Sequence, residues 1–143
     1  MIKYYILFAL IIKNILYPIV IVEEKINKNK IYIWENIEYS LLFTGDAYKF
    51  KVEGLNKNAI NDFEIINTKI ETETIDMKNE FSTMNYKIIY TLKPIRSGKL
   101  KIPELEARYY TIEKGNSLIP KEKNIKEYNI RVFNYWVLII MII

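Results

Sequence analysis

The chain contains no cysteine and no histidine. Without cysteine there can be no disulfide, no thiolate nucleophile, no thiolate metal site and no lipid-bearing N-terminal cysteine. Without histidine the commonest general base and the commonest neutral metal ligand are missing. Only four glycines and four prolines punctuate 143 residues. The glycines are scattered singly, so a glycine-rich phosphate cradle cannot be built. Charge of one sign is never concentrated: the formal +4 is spread over lysines interleaved with acids, as in Lys121-Glu122-Lys123. A basic stripe with stacking aromatics is absent, and nucleic acid is therefore not expected as a partner.

What is present is apolar: half the residues are hydrophobic and twelve are tyrosine. The two ends carry the longest uncharged or nearly uncharged runs. Residues 1–22 place Lys3 before the apolar run Tyr4–Ile12, the pattern of a secretory signal peptide or an N-terminal membrane anchor. Lys13 and Asn14 interrupt the run, and an anchor would hold that lysine in the bilayer at a cost of about 2.5–3.5 kcal/mol. The chain finishes Tyr135-Trp136-Val137-Leu138-Ile139-Ile140-Met141-Ile142-Ile143. At ~1.5 Å per residue this run reaches about half of a ~30 Å hydrocarbon core, with two aromatics at its start where a membrane interface would place them. It is read as the start of a truncated transmembrane helix, the alternative being a final buried strand. The expected organisation is thus 1–22 signal or anchor, 23–134 folded domain, and 135–143 membrane segment.

Between the ends the apolar period is two. Ile37, Tyr39, Leu41 and Phe43 alternate with Glu38, Ser40 and Thr44; Tyr86, Ile88, Tyr90 and Leu92 oppose Lys87, Thr91 and Lys93. Phe50 with Val52, Leu100 with Ile102, and Tyr128 with Ile130 and Val132 repeat the pattern. One-face burial of antiparallel strands requires such alternation. Gly45-Asp46, Gly54, Ser97-Gly98 and Gly115-Asn116 supply turn signals, and Lys93–Gly98 should connect two antiparallel strands. Thr68–Ile75 alternates weakly and is polar, which suits an exposed edge strand whose charges discourage stray pairing. Seven or so short strands predict an all-β, immunoglobulin-like antiparallel β-sandwich flanked by apolar N- and C-terminal membrane segments.

Candidates for chemistry are few. Glu71/Glu73 and Glu104/Glu106 are spaced to share a strand face, but a solvated face explains them. Ser82 and Ser97 have no histidine to activate them. No catalytic residue, metal site or cofactor is expected. Because Tyr109 and Tyr110 are adjacent, one of them must face outward from a strand, and Leu105–Thr111 becomes a candidate contact surface. The loop acids Asp46 and Asp62 could complete a partner's metal site, Asp62 being the favoured contact.

Asn61-Asp62-Phe63-Glu64-Ile65-Ile66, the polar Thr/Glu stretch after it, and Tyr86–Pro103 with its Leu92-Lys93-Pro94-Ile95-Arg96-Ser97-Gly98 core together resemble the BatD family of bacterial aerotolerance, or oxygen-tolerance, proteins. Ile31–Leu41 is similar to the family's first strand, with Trp34 standing where glycine is usual. The resemblance spans roughly residues 20–133. It implies an exported, non-catalytic protein of the bacterial inner membrane, its domain facing the periplasm. Its implied partners are the membrane, von Willebrand A-domain membrane proteins and, indirectly, a MoxR-type ATPase system; its implied role is to assemble or stabilise a cell-envelope complex. An adhesive or glycan-binding sandwich, or a non-functional remnant of a longer protein, are the competing expectations.

Overall fold

The computed structural model describes residues 19–77 and 81–134. Residues 1–18 of the expected signal or anchor (1–22) and the whole of the expected membrane segment 135–143 lie outside the described residues. Ten strands follow one another: β1 (Ile21–Ile26), β2 (Lys30–Tyr32), β3 (Ile37–Asp46), β4 (Phe50–Leu55), β5 (Phe63–Met77), β6 (Phe81–Pro94), β7 (Gly98–Ile102), β8 (Leu105–Glu113), β9 (Ser117–Ile125) and β10 (Tyr128–Phe133). Single 3₁₀ turns occupy Lys57–Ala59 and Lys114–Asn116, and no α-helix is found among the described residues. β1 begins at Ile21 and Val22 is buried, so the last residues of the N-terminal apolar stretch belong to the domain.

One layer is the antiparallel sheet β1-β3-β6-β5. The other comprises two three-stranded sheets, β2-β10-β7 and β4-β8-β9. These two share a single hairpin: Ile102 faces Tyr128 and Leu105 faces Ile125, so the register runs unbroken through the gap. Pro103 sits in that gap and has no N–H to give a ladder. β7 with β8 therefore acts as one long strand, and β9 with β10 as its partner. β4 flanks the upper half of this hairpin and β2 the lower half, the latter as the one parallel pair among the described residues. The seven expected strands correspond to β3, β4, β5, β6, β7, β8 and β10; the three added are β1, which begins inside the N-terminal apolar stretch, β2, whose three residues are too few to show alternation, and β9, which is exposed along almost its whole length. Lys93–Gly98 joins strands in different layers, β6 and β7, rather than neighbours in one ladder.

The core follows from the alternation. β3 turns Ile37, Tyr39, Leu41 and Phe43 inward, all fully buried, against Ile88, Tyr90 and Leu92 of β6. Leu100, Ile102, Leu105, Ala107, Ile125, Ile130 and Val132 close the cluster from the second layer. Gly54 lies inside β4, at a bulge between Val52 and Gly54, with φ 120°. A side chain there would be strained and would meet the Tyr90 hydroxyl at 3.3 Å. That close approach lets Tyr90 Oη accept a hydrogen bond from the Leu55 N–H at 3.4 Å, stitching the two layers. Tyr39 packs edge-on to Tyr128, and its buried hydroxyl has no partner among the described residues. Burial, reinforced by Tyr128 and Glu24, drives the Tyr39 phenol far above its ordinary pKa.

The two tyrosines should respond differently to loss of the hydroxyl. Tyr90→Phe leaves the Leu55 N–H without its acceptor and should lower stability by about 1 kcal/mol, whereas Tyr39→Phe should be neutral or stabilising. Leu41→Ala should cost about 2–5 kcal/mol. Midpoints of denaturant unfolding check all three, and a Tyr39→Phe loss as large as that of Tyr90→Phe would contradict this picture.

Candidate functional site

The strand directions give the domain two distinct ends. The upper end carries the β3–β4 turn, the β8–β9 hairpin tip and residues 19–20, which lead into β1 opposite Thr44. The lower end carries the β2–β3 connection and Phe133, where β10 finishes beside Tyr32.

At the upper end Gly115 (φ 77°) and Asn116 (φ 61°) are both left-handed, which is how this pair of residues turns the hairpin. The Ile112 N–H donates to the Lys49 carbonyl at 2.8 Å and ties the hairpin to the β3–β4 turn. The Asp46 carboxylate accepts the Tyr48 N–H at 3.2 Å, and the Tyr48 ring stands 78% exposed. Between turn and hairpin opens a hollow of about 750 Å³, walled by Tyr48, Lys49, Ile112, Glu113, Lys114 and Ile119.

The outward face of β8 and β9 continues from this hollow. Ile112 faces Leu118 and Tyr110 faces Pro120, an apolar band, with Lys51 on the other side of Tyr110. One row further along, Arg108 faces Glu122 and donates from Nη2 to Glu106 at 3.2 Å. That bond, helped by Glu122 and Glu53, holds the guanidinium pKa above its ordinary value.

The adjacent tyrosines separate as strand geometry requires. Tyr110 lies on the outward face, and Tyr109 turns inward with its ring edge-on to Phe43 at 6.0 Å. Asp62 is elsewhere. Its Oδ2 accepts the Lys101 N–H at 2.8 Å and its Oδ1 faces Arg96 Nη2 at 3.4 Å. Lys101 and Tyr110 stand near opposite ends of one long strand, roughly 30 Å apart at the rise of extended chain. The structure thus brings Tyr110 to the upper surface, puts Tyr109 into the core, and gives Asp62 the free edge of β7. Glu71 and Glu73 are on the exposed outward face of β5, and Glu106 is engaged by Arg108. Among the described residues no group of three or more carboxylates could hold a metal.

A second surface was not foreseen. At the lower end Tyr32 and Trp34 stack at 4.7 Å with planes 2° apart, and Phe133 tilts against Tyr32 at 6.4 Å. All three rings are more than a third exposed. The Glu35 N–H closes a turn onto the Tyr32 carbonyl at 2.9 Å. Glu35 Oε1 in turn accepts the Tyr32 N–H, and Oε2 faces Lys28 Nζ, both at 3.0 Å. These bonds hold the Glu35 carboxyl below its ordinary pKa. Trp34 occupies this turn without a positive φ. Spacing places Tyr32 and Trp34 on one side of an extended chain, but only the parallel β2–β10 pairing adds Phe133.

A family model described as the BatD DUF11 like domain matches residues 24–126. Comparison with curated proteins and with solved structures finds no match to either. No helix among the described residues is long and apolar enough to cross a membrane.

Because Asp62 closes the open edge of β7, Asp62→Ala should lower stability by about 1 kcal/mol. It should also speed hydrogen exchange at the Lys101 amide specifically. Unchanged Lys101 protection, measured by amide exchange, would remove Asp62 from this structural role.

Proposed function

The chain belongs to the BatD family, and on that premise we propose that it is a non-catalytic, membrane-tethered interaction module on the periplasmic side of a bacterial inner membrane. Its upper end would engage von Willebrand A-domain membrane proteins of the same envelope complex, with a MoxR-type ATPase system acting on that complex. The layering supports an immunoglobulin-like sandwich: the central hairpin is flanked by β4 at one end and by the parallel β2 at the other. In sandwiches of that kind the loops cluster at the ends and do the binding while the sheets hold them still.

The observation that carries the proposal is the opposition of the two ends. β10 delivers the chain at Phe133 into the uncharged run Tyr135–Ile143, among three exposed aromatics. Tyr and Trp favour the membrane–water boundary because one end of each ring system is apolar and the other is polar. A domain standing on that end would hold the hollow and the Tyr110 band at the far side, facing outward. Residues 19–20 also lie at the upper end, so an uncleaved N-terminal anchor would have to span the height of the domain to reach the same membrane. A signal peptide removed ahead of β1 needs no such span.

The Tyr110 band suits a protein partner: an aromatic ring beside a proline and a Leu/Ile pair, rimmed by Lys51, Arg108 and Glu122. Tyr32 and Trp34 stack face to face instead of lying side by side in one plane, which suits a sugar ring less well.

Full-length chain isolated in mild detergent from its own cells should bring down A-domain membrane proteins. Tyr110→Lys should reduce their recovery about tenfold, as loss of a central aromatic contact does, while Tyr109→Phe leaves it unchanged. Recovery of the wild-type chain alone would overturn the reading. Replacing Tyr32 and Trp34 together with serine should leave the recovery of partners intact and weaken retention on anionic vesicles.

A further inference from the structure

β5 is the outer strand of its layer, and every residue from Ile66 to Ile75 is exposed on both faces. The bulge at Ile66 divides it. Before the bulge Phe63 is core; after it Thr68, Ile70, Thr72 and Thr74 face the core side without being covered, and Lys69, Glu71 and Glu73 face outward. An edge this long, with Ile70 54% and Ile75 47% exposed, presents a row of backbone donors and acceptors to any strand that fits it.

We propose that the β5 edge pairs with β5 of a second copy of this chain, antiparallel and centred on Ile70. The side chains select that arrangement. Centred on Ile70, Lys69 meets the partner's Glu71 and Glu71 meets the partner's Lys69. Thr68 meets the partner's Thr72, and Asn67 meets the partner's Glu73. No like charges are opposed between residues 66 and 74. Centring on Glu71 opposes the two Glu71 carboxylates. Centring one residue pair further on, at Thr72, sets Glu71 against Glu73 twice, and centring on Lys69 opposes two ammonium groups. Opposite-charge and Thr–Thr pairs directly across antiparallel strands are favourable, and like charges there are not. Lys69 and Glu71 already form an ion pair at 3.0 Å within one copy, half-exposed and aligned on the same face. Two copies would join these pairs into a four-charge network.

The two-fold axis stands perpendicular to the sheet, because residues paired about Ile70 keep their faces. The product is one continuous sheet of eight strands, β1-β3-β6-β5 followed by its mirror order. The uncovered Thr68–Ile70–Thr72 row of each copy meets its equivalent along the seam. The charges on β5 thus disfavour the neighbouring registers centred on Lys69, Glu71 and Thr72, and among these four only the one centred on Ile70 opposes no like charges between residues 66 and 74.

The absence of native cysteine makes the register directly testable. In the proposed arrangement the two Ile70 Cα atoms lie ~4.5–5.5 Å apart, inside the range a disulfide spans. The two Thr72 Cα atoms lie roughly 13 Å apart, outside it. Full-length Ile70→Cys, oxidised in mild detergent, should therefore run as a disulfide dimer on a non-reducing gel, and Thr72→Cys should remain monomeric. Adding Lys69→Glu to Ile70→Cys should cut the dimer about tenfold, and further adding Glu71→Lys should restore it. All of these positions are exposed, so each variant should keep its strands, which circular dichroism checks. Equal cross-linking at both cysteine positions, no dimer with Ile70→Cys, or no recovery on reversing both charges would each overturn the proposal. None of these results depends on whether A-domain proteins bind the upper end.

Discussion

The domain depends on β3 turning four side chains to one side, with the Tyr39 hydroxyl the one polar group among them. Ile37, Tyr39, Leu41 and Phe43 are fully buried, and their neighbours Glu38, Ser40 and Leu42 are not. Because β3 lies between β1 and β6, its inward row fixes which face of each neighbouring strand is apolar. A slip of one residue would drive Glu38 into the centre of the sandwich, an expense far beyond any local gain. The second layer is then chosen by what can cover that row: alternating Leu, Ile, Ala and Val along the long β7–β10 hairpin. The Tyr90 hydroxyl, reaching Leu55 past a glycine that leaves room for it, adds direction to a contact that hydrophobic burial alone would leave loose.

Much of this was legible in the chain because period two is a strong signal when one face of a sheet is wet. The inward rows of β3, β6, β7 and β10 coincide with the alternation in the sequence, and the polar stretch 68–75 does form an edge. What could not be read were features that depend on how strands meet. Gly54 looks like a turn residue, yet it sits inside β4, where its missing side chain makes room for Tyr90. Lys93–Gly98 reads as a connection between two antiparallel strands, but the sequence does not tell that β6 and β7 belong to different layers. Alternation reports burial but is silent on which strand is whose neighbour. Of the contact candidates, adjacency alone showed that one of Tyr109 and Tyr110 must point outward; identifying Tyr110 needed the register of β8 against Phe43. The commitment of Asp62 to Lys101 is invisible in sequence, since thirty-nine residues separate them.

The free edges show how a small sandwich protects itself by different means at each strand. β9 carries Pro120, which cannot donate outward, and Lys123, whose ammonium reaches the Val22 carbonyl at 2.6 Å. β7 has the Asp62 carboxylate accepting its Lys101 N–H. β5 has neither proline nor a capping side chain along Ile66–Ile75, only an alternating row of threonine and charge.

That difference gives the polar composition of β5 a meaning beyond solubility. Charges that merely repel could be of one sign, and a run of lysines would serve. Lys69 followed by Glu71 has instead a centre of symmetry at Ile70, and a symmetric pattern is what a two-fold contact demands of a single sequence. Among the described residues, none of β5 lines the upper-end hollow or belongs to the Tyr110 band or the lower aromatic cluster. Pairing through β5 would leave the three surfaces open, and would set two copies side by side with their Phe133 ends pointing in opposite directions along the strand axis. Upright tethering by both C-terminal runs to one flat membrane and a paired β5 edge are therefore competing demands, so pairing is compatible with tethering only if the sheet lies along the membrane or if one copy is anchored at a time.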